Sequence, residues 1–169
     1  MGAFMFYFCS LGSNIDPPHN VALALQALAS SLAEFTLSPL IQTKPHGMES
    51  QQPFYNALFW FESTQSPESI KAWFNETEIK LGRDRNHPEK KLRDRPIDLD
   101  ILYAGERKPL AELAVKDPYL APLTPVLQGK APAVSAITLP FGGRRLGLGI
   151  FRIRSVAGQI QIERATAEN

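Results

Sequence analysis

The stretch Arg95-Pro96-Ile97-Asp98-Leu99-Asp100-Ile101-Leu102-Tyr103 decides the fold, because it alternates like a β-strand and carries two acids. Side chains alternate across a strand, so Ile97, Leu99 and Ile101 share one face while Asp98 and Asp100 share the other. Two carboxylates on one face repel each other unless a cation lies between them. Mg²⁺ takes one or two carboxylates and leaves its other positions to water and phosphate oxygens. We therefore predict a divalent-metal site, with two merely solvated aspartates as the alternative.

The segment before this strand, residues 83–95, is basic and polar and is interrupted by Pro88. It is too long for a tight turn, and a basic loop is often only a solvated surface. Beside a carboxylate pair, however, a loop rich in arginine indicates chemistry on a magnesium-bound nucleotide.

The composition is that of one soluble globular domain spanning residues 1–169, with 44% apolar and 21% charged residues. A net charge of +1 argues against a broad nucleic-acid interface. The single cysteine, Cys9, excludes an internal disulfide, fits a reducing compartment and is predicted to be a buried filler. No Lys or Arg precedes Lys44, so a secretory signal is not predicted and we expect a cytoplasmic protein without a membrane span.

Residues 1–103 show a regular order of elements. Apolar runs at 4–9, 35–43 and 54–62 predict strands, and Pro39 argues for an edge position of the second run. Helical spacing of apolar residues predicts one helix after residues 16–18, with an apolar stripe from Val21 to Leu32, and another that begins at Ser66 and ends at Gly82. With the Asp98 strand, the order β-α-β-β-α-β predicts an α+β, ferredoxin-like sandwich with two helices on one face of an antiparallel sheet.

The C-terminal third is weakly patterned over residues 109–134 and then returns to strand-like runs. We predict that residues 137–141 pair with residues 148–155, followed by a strand at 159–163, as a C-terminal β-hairpin extension over about 135–165. The intervening Gly142-Gly143-Arg144-Arg145 is either a plain hairpin turn or a cradle for a phosphate.

Four motifs occur in one order along the first 103 residues, and together they resemble a known family. They are Leu11-Gly12-Ser13-Asn14, Phe54-Tyr55-Asn56-Ala57, residues 78–83 with their Gly-Arg, and residues 95–100. In order and spacing they resemble the 6-hydroxymethyl-7,8-dihydropterin pyrophosphokinase (HPPK) family of folate biosynthesis.

The resemblance implies a reaction, a cofactor and a set of site residues. The pyrophosphoryl group of ATP moves to the hydroxymethyl oxygen of the pterin, with two Mg²⁺ ions bound to ATP. Carried over by motif, the implied residues are Asp98 and Asp100 for the metal; Arg83 and Arg95 for catalysis; Glu78, Arg85 and Ile101 for ATP; and Thr43, Pro45, Phe54 and Asn56 for the pterin.

The chain departs from the family pattern after Tyr103. The family has a histidine, an arginine and a phenylalanine there, which hold the triphosphate and close the second face of the pterin. Here no histidine follows His87, and residues 108–140 contain neither arginine nor phenylalanine. Tyr119, Lys116 and the Arg144-Arg145 pair are the candidate substitutes.

Three other hypotheses stay open beside an active pyrophosphokinase. They are a non-catalytic protein that binds pterin or nucleotide, an enzyme with an altered acceptor, and an RNA-binding ferredoxin-like module, which the low net charge disfavours. The expected partners are ATP and the hydroxymethyl-dihydropterin, without nucleic acid or membrane. We expect a monomer, with a dimer through an exposed strand edge as the alternative.

Overall fold

A computed structural model describes residues 3–44, 52–82 and 95–167 of the chain. The strands are β1 (Met5–Ser13), β2 (Glu34–Leu37), β3 (Leu40–Thr43), β4 (Phe54–Ser63), β5 (Asp98–Gly105), β6 (Ala136–Ile137), β7 (Leu139–Phe141), β8 (Arg144–Leu146), β9 (Phe151–Val156) and β10 (Gln159–Arg164). The α-helices are α1 (Pro17–Ser31) and α2 (Pro67–Lys80), and the 3₁₀ helices are Leu110–Glu112 and Ala121–Gln128. Within these ranges, no helix is both long and apolar enough to cross a membrane.

One antiparallel sheet organises the molecule. Its strand order is β10-β9-β2-β4-β1-β5, and β3 and β6 join it through β4. The predicted α+β class, with helices packed on an antiparallel sheet and further strands at the C-terminus, is confirmed.

Both faces of the sheet are covered, which explains why β1 is apolar from residue 5 to residue 9 and buried from residue 6 to residue 13. The helices α1 and α2 pack on one face, where Leu25, Leu28 and Phe74 share one hydrophobic core with Tyr7 of β1. The two 3₁₀ helices pack on the opposite face. The weakly patterned residues 109–134 thus form a second covering layer, and this layer borders the site described below.

The ends of α2 follow the signals in the sequence. The Ser66 hydroxyl accepts a hydrogen bond from the Ser69 N–H at 3.2 Å, which caps the first turn. Gly82 has a φ of +102° and donates its N–H to the Ile79 carbonyl at 3.0 Å. Since L side chains rarely adopt that φ, glycine is the residue that ends this helix at low cost.

The predicted strand over residues 35–43 is divided, and its predicted edge position is wrong. Ser38 and Pro39 separate β2 from β3, and both strands pair with β4 and with a second neighbour. Pro39 is tolerated because it lies in the break, where it interrupts no ladder. The buried Ser38 takes over the pairing there: its hydroxyl accepts from the Leu58 N–H at 2.8 Å, and its N–H donates to the Leu58 carbonyl at 2.9 Å.

The predicted pairing of residues 137–141 with residues 148–155 is also wrong. β7 pairs with β8 across Gly142 and Gly143, while β9 pairs with β10 and with β2. The C-terminal strands therefore extend the main sheet. Phe151 and Ile153 of β9 are buried in the same core as α1. Burying these side chains stabilises the pairing of β9 with the main sheet more than it would a separate hairpin.

Candidate active site

A pocket opens on the face of the sheet opposite α1 and α2, where β1, β4 and β5 lie side by side. It is lined by Ser10, Leu11, Gly12, Phe54, Asn56, Arg95, Asp98, Asp100, Asp117, Tyr119 and Leu120. Three strands supply the floor, and the turn before the second 3₁₀ helix supplies one wall.

The strand pairing brings both aspartates to the pocket. Asp98 lies opposite Gly12 and Asp100 opposite Ser10 in the β1–β5 register. Leu99 between them is 4% exposed and packs in the helix-side core, so the two carboxylates point to the other face, as the alternation predicted. Small residues on β1 leave space in front of both acids.

The two acids suit a magnesium ion better than a metal that needs a complete protein cage. Within the described ranges, no group of three or more His, Cys, Asp or Glu side chains converges to hold a metal. Mg²⁺ needs only one or two carboxylates, because water and substrate phosphates complete its octahedron. The donor set of Asp98 and Asp100 therefore fits magnesium delivered with a nucleotide.

Glu78 supports the aspartate strand from behind. Its side chain is 1% exposed, and its carboxylate accepts a hydrogen bond from the Leu99 N–H at 2.7 Å. The structure thus places this residue, which was predicted to contact ATP, below the strand and outside the lining of the pocket. The backbone between the two aspartates is fixed by this bond.

Arg95 enters the pocket beside Asp98. Its Nη1 lies 3.1 Å from the Asp98 Oδ2, and its Cζ lies 6.0 Å from the centre of the Phe54 ring. This ion pair joins the Arg95 guanidinium, at the end of the basic segment 83–95, to one of the two aspartates. Arg95 is therefore placed where it can neutralise charge that develops on a bound phosphate.

Asn56 presents its amide to the pocket in a fixed orientation. The side chain is 4% exposed, and its Nδ2 donates to the Thr43 hydroxyl at 2.8 Å. Its Oδ1 lies over Gly12, where an added Cβ would come within 2.8 Å of that oxygen. The absence of a side chain at residue 12 lets the amide occupy this position and offer a donor and an acceptor to a flat ligand.

Two aromatic rings in the lining of the pocket pack against each other. The centres of the Phe54 and Tyr119 rings are 4.9 Å apart, with an angle of 56° between the ring planes. Asp117 shapes the turn that carries Tyr119, because its Oδ1 accepts from the Tyr119 N–H at 2.8 Å. Leu120 anchors the same turn in the core on that side of the sheet. Tyr119 thus supplies an aromatic wall in a region that lacks phenylalanine.

Cys9 is a buried filler, as predicted. It lies beside the pocket in β1 and is fully buried. Burial raises the pKa of its thiol well above the usual range, and the Asp100 carboxylate raises it further. Both effects favour the protonated thiol, which is the poorly nucleophilic form.

Not every predicted site residue lies at the pocket. The structure brings together Phe54, Asn56, Arg95, Asp98 and Asp100 as its lining, with Thr43 bonded to Asn56 from outside. Ile101 packs partly against the helix-side core. Pro45, Arg83 and Arg85 lie outside the described residues.

Of the candidate substitutes, Tyr119 lines the pocket, whereas Lys116 is not among the described lining residues. Gly142 and Gly143 form the hairpin turn between β7 and β8, and the two arginines begin β8. The Arg144 guanidinium donates to the Ile162 carbonyl, and the Arg145 guanidinium donates to the Thr138 hydroxyl. Sequence reasoning missed Ser10 and Asp117 as lining residues. Ser10 could have been found only from the β1–β5 register, and nothing in the sequence indicates that Asp117 reaches the pocket.

Comparison with known proteins agrees with this geometry. Residues 8–128 match the sequence model of the family described as 7,8-dihydro-6-hydroxymethylpterin-pyrophosphokinase (HPPK). Two relatives named 2-amino-4-hydroxy-6-hydroxymethyldihydropteridine pyrophosphokinase come from Porphyromonas gingivalis, strains ATCC 33277 and W83. Each is 37% identical over 112 residues, which cover 63% of this chain and 76% of the relative. The chain belongs to the 7,8-dihydro-6-hydroxymethylpterin-pyrophosphokinase family.

Proposed function

We propose that this pocket transfers the pyrophosphoryl group of ATP to the hydroxymethyl oxygen of 6-hydroxymethyl-7,8-dihydropterin. The products are AMP and the pterin diphosphate, and the enzyme acts in folate biosynthesis, in keeping with its family. The observation that carries the proposal is the meeting of Asp98, Asp100, Arg95 and Asn56 around one pocket. This set combines acids for a metal, a cation for phosphate and an amide for a heterocycle.

In the proposed reaction the hydroxymethyl oxygen attacks the β-phosphorus of ATP. The bond from that phosphorus to the oxygen bridging the α- and β-phosphates breaks, and AMP leaves with the bonding electrons. The hydroxyl proton passes to solvent. Such a transfer depends mainly on alignment and on neutralising charge on the phosphate oxygens.

Asp98 and Asp100 would hold two Mg²⁺ ions together with the triphosphate. Bound Mg²⁺ would neutralise phosphate charge and orient the chain of phosphates. Arg95, now paired with Asp98 at 3.1 Å, would turn its guanidinium to the phosphates that move. We further propose, by resemblance, that Arg83 and Arg85 add cations for the phosphates and that Ile101 borders the nucleotide. Glu78 would serve by holding the metal-binding strand from behind.

The pterin would lie with its polar edge on Asn56 and its face on Phe54. Pro45 would border it by resemblance, and Tyr119 would supply the second face. A flat heterocycle between two rings separates them by about 7 Å, because each stacked layer takes about 3.5 Å. Since the Phe54 and Tyr119 ring centres are 4.9 Å apart, Tyr119 would move away to admit the acceptor.

The test is Mg²⁺-dependent AMP formation from ATP, with and without the pterin, for the wild-type protein and for Asp98→Asn and Asp100→Asn. We expect pterin-dependent AMP from the wild type, its loss with a chelator and its return with added Mg²⁺. Each variant removes one charge without changing side-chain shape, so kcat should fall about 100-fold or more.

Asp16→Asn is the matched control. Asp16 is exposed before α1, makes no side-chain cap and has a φ of 38°, which asparagine tolerates well. It should retain wild-type turnover. Wild-type AMP formation by Asp98→Asn would refute the metal assignment. ATP or pterin binding without AMP would favour the non-catalytic hypothesis, and AMP with a different pterin alcohol would favour the altered acceptor.

A further inference from the structure

Asn14, directly after β1, is joined to Arg95 by two hydrogen bonds across 81 positions of sequence. Its Oδ1 accepts from the Arg95 N–H at 2.7 Å, and its own N–H donates to the Arg95 carbonyl at 3.1 Å. Asn14 is 2% exposed, so these bonds are shielded from water. Both polar groups of the Arg95 main chain are thereby tied to the end of the central strand.

This anchor lies at the base of the arginine that enters the pocket. The Arg95 side chain reaches the Asp98 carboxylate at 3.1 Å and passes near the Phe54 ring, with 17% of it exposed. A shift of its main chain would carry the guanidinium away from both contacts. Misplacement of a catalytic group by about 1 Å can cost on the order of 100-fold in rate.

We propose that Asn14 is a positioning residue, which holds Arg95 so that its guanidinium meets the phosphates of the bound nucleotide. The inference rests on the proposed function, in which Arg95 is a phosphate-binding cation. Asn14 touches neither substrate in this assignment and acts only through Arg95. Its effect should therefore disappear when the Arg95 side chain is absent.

A purely structural role makes a different prediction, and the chain offers a matched control. Asn20 is also buried, at 8% exposure, and its Nδ2 donates to the Ile15 carbonyl at 2.6 Å. It lies in α1, close in sequence to Asn14, and does not line the pocket. Asn20→Ala should lower the melting temperature without the loss of turnover expected for Asn14→Ala.

The experiment is a double-mutant cycle of Asn14→Ala and Arg95→Ala, read out as kcat for AMP formation and as calorimetric affinity for Mg²⁺-ATP. We expect Asn14→Ala alone to lower kcat at least about 10-fold, and to lower it less than about twofold when Arg95 is already alanine. The affinity for Mg²⁺-ATP should show the same non-additivity. Asn14→Asp keeps the accepting oxygen and should restore most of the turnover.

Full additivity in the cycle, or an equal loss of kcat in Asn20→Ala, would overturn the positioning role. If Asn14→Ala does not fold, Asn14→Ser replaces it, because its shorter side chain stays polar but cannot span the gap. A wild-type protein that forms no pterin-dependent AMP would refute the proposed function instead. The same double-mutant cycle, measured as affinity for Mg²⁺-ATP, would then still test whether Asn14 acts through Arg95.

Discussion

Single residues in the pocket differ in how far the sequence reveals them. The aspartates could be placed from alternation alone, because Asp98 and Asp100 are two positions apart in a strand with a buried opposite face. The orientation of Asn56 could not, since it depends on the Thr43 hydroxyl and on Gly12, which are far away in sequence. The local sequence pattern predicts on which face of a strand a side chain lies. The hydrogen-bond partners of a polar side chain depend instead on which distant strands pair with its own.

The fixed amide of Asn56 leads to a prediction about the acceptor. Asn56→Ala removes the donor and acceptor proposed to meet the heterocycle, so KM for the pterin should rise about 10- to 100-fold while KM for ATP changes little. Steady-state kinetics with each substrate varied in turn measures both values. A larger rise in KM for ATP than for the pterin would reassign Asn56 to the nucleotide.

Tyr119 leads to a second prediction at this scale. Its ring contacts Phe54, and loss of an aromatic partner is worth about 0.5–1.5 kcal/mol beyond the buried area. Tyr119→Ala should therefore raise KM for the pterin at least about twofold, while Tyr119→Phe, which keeps the ring, should behave like the wild type. Equal KM values for the wild type and Tyr119→Ala would remove Tyr119 from the acceptor site.

At the scale of elements, both α-helices and the strands around them were predictable, while the break inside residues 35–43 was not. Apolar residues run on through that region, so the pattern shows one strand. The break depends on Ser38, whose hydroxyl replaces a backbone partner for Leu58. The alternation of apolar and polar residues does not show that a serine hydroxyl replaces a backbone hydrogen-bond partner between two strands.

The break supplies a prediction about stability. Ser38→Ala leaves the buried Leu58 N–H without its hydroxyl acceptor, so the free energy of unfolding should fall by about 1–3 kcal/mol. Thermal or urea unfolding measures the change. Ser30→Ala is the control, because among the described residues the exposed Ser30 hydroxyl bonds only Gln26 of α1, and its loss should cost little. Equal losses for the two variants would show that the Ser38 hydroxyl does not complete the sheet.

At the scale of the whole molecule, the order of elements over residues 1–103 sufficed to predict the sandwich, but not the course of the C-terminal third. Apolar alternation marks residues 151–156 as a strand and leaves its partner undetermined. The partner is β2, and salt bridges from Arg152 to Glu34 at 2.8 Å and to Glu163 at 3.1 Å join three strands at this side of the sheet.

Among the described strands, β10 lies at one edge of the sheet, and this edge bears on the oligomeric state. An unprotected edge strand invites pairing with a second chain. Here the Arg144 guanidinium donates to the Ile162 carbonyl at 3.0 Å and so occupies part of that edge. We therefore expect a monomer of 18.8 kDa by light scattering, and a larger dimer fraction for Arg144→Ala. Arg145→Ala, whose guanidinium bonds only the Thr138 hydroxyl among the described contacts, is the control. A wild-type dimer would refute the guarding role of Arg144.

The pairing of β2 with β9 also sets when the protein can finish folding during its synthesis. Glu34 to Leu37 form their second ladder with residues 151–154, which the ribosome makes more than a hundred residues later. Until then Phe35 and Leu37, which are fully buried in the finished core, lack part of their cover. Contacts so distant in sequence slow folding, and the exposed strand is prone to aggregate meanwhile. Chains cut short before residue 151 would keep every described residue that lines the pocket, yet leave one side of the sheet unfinished.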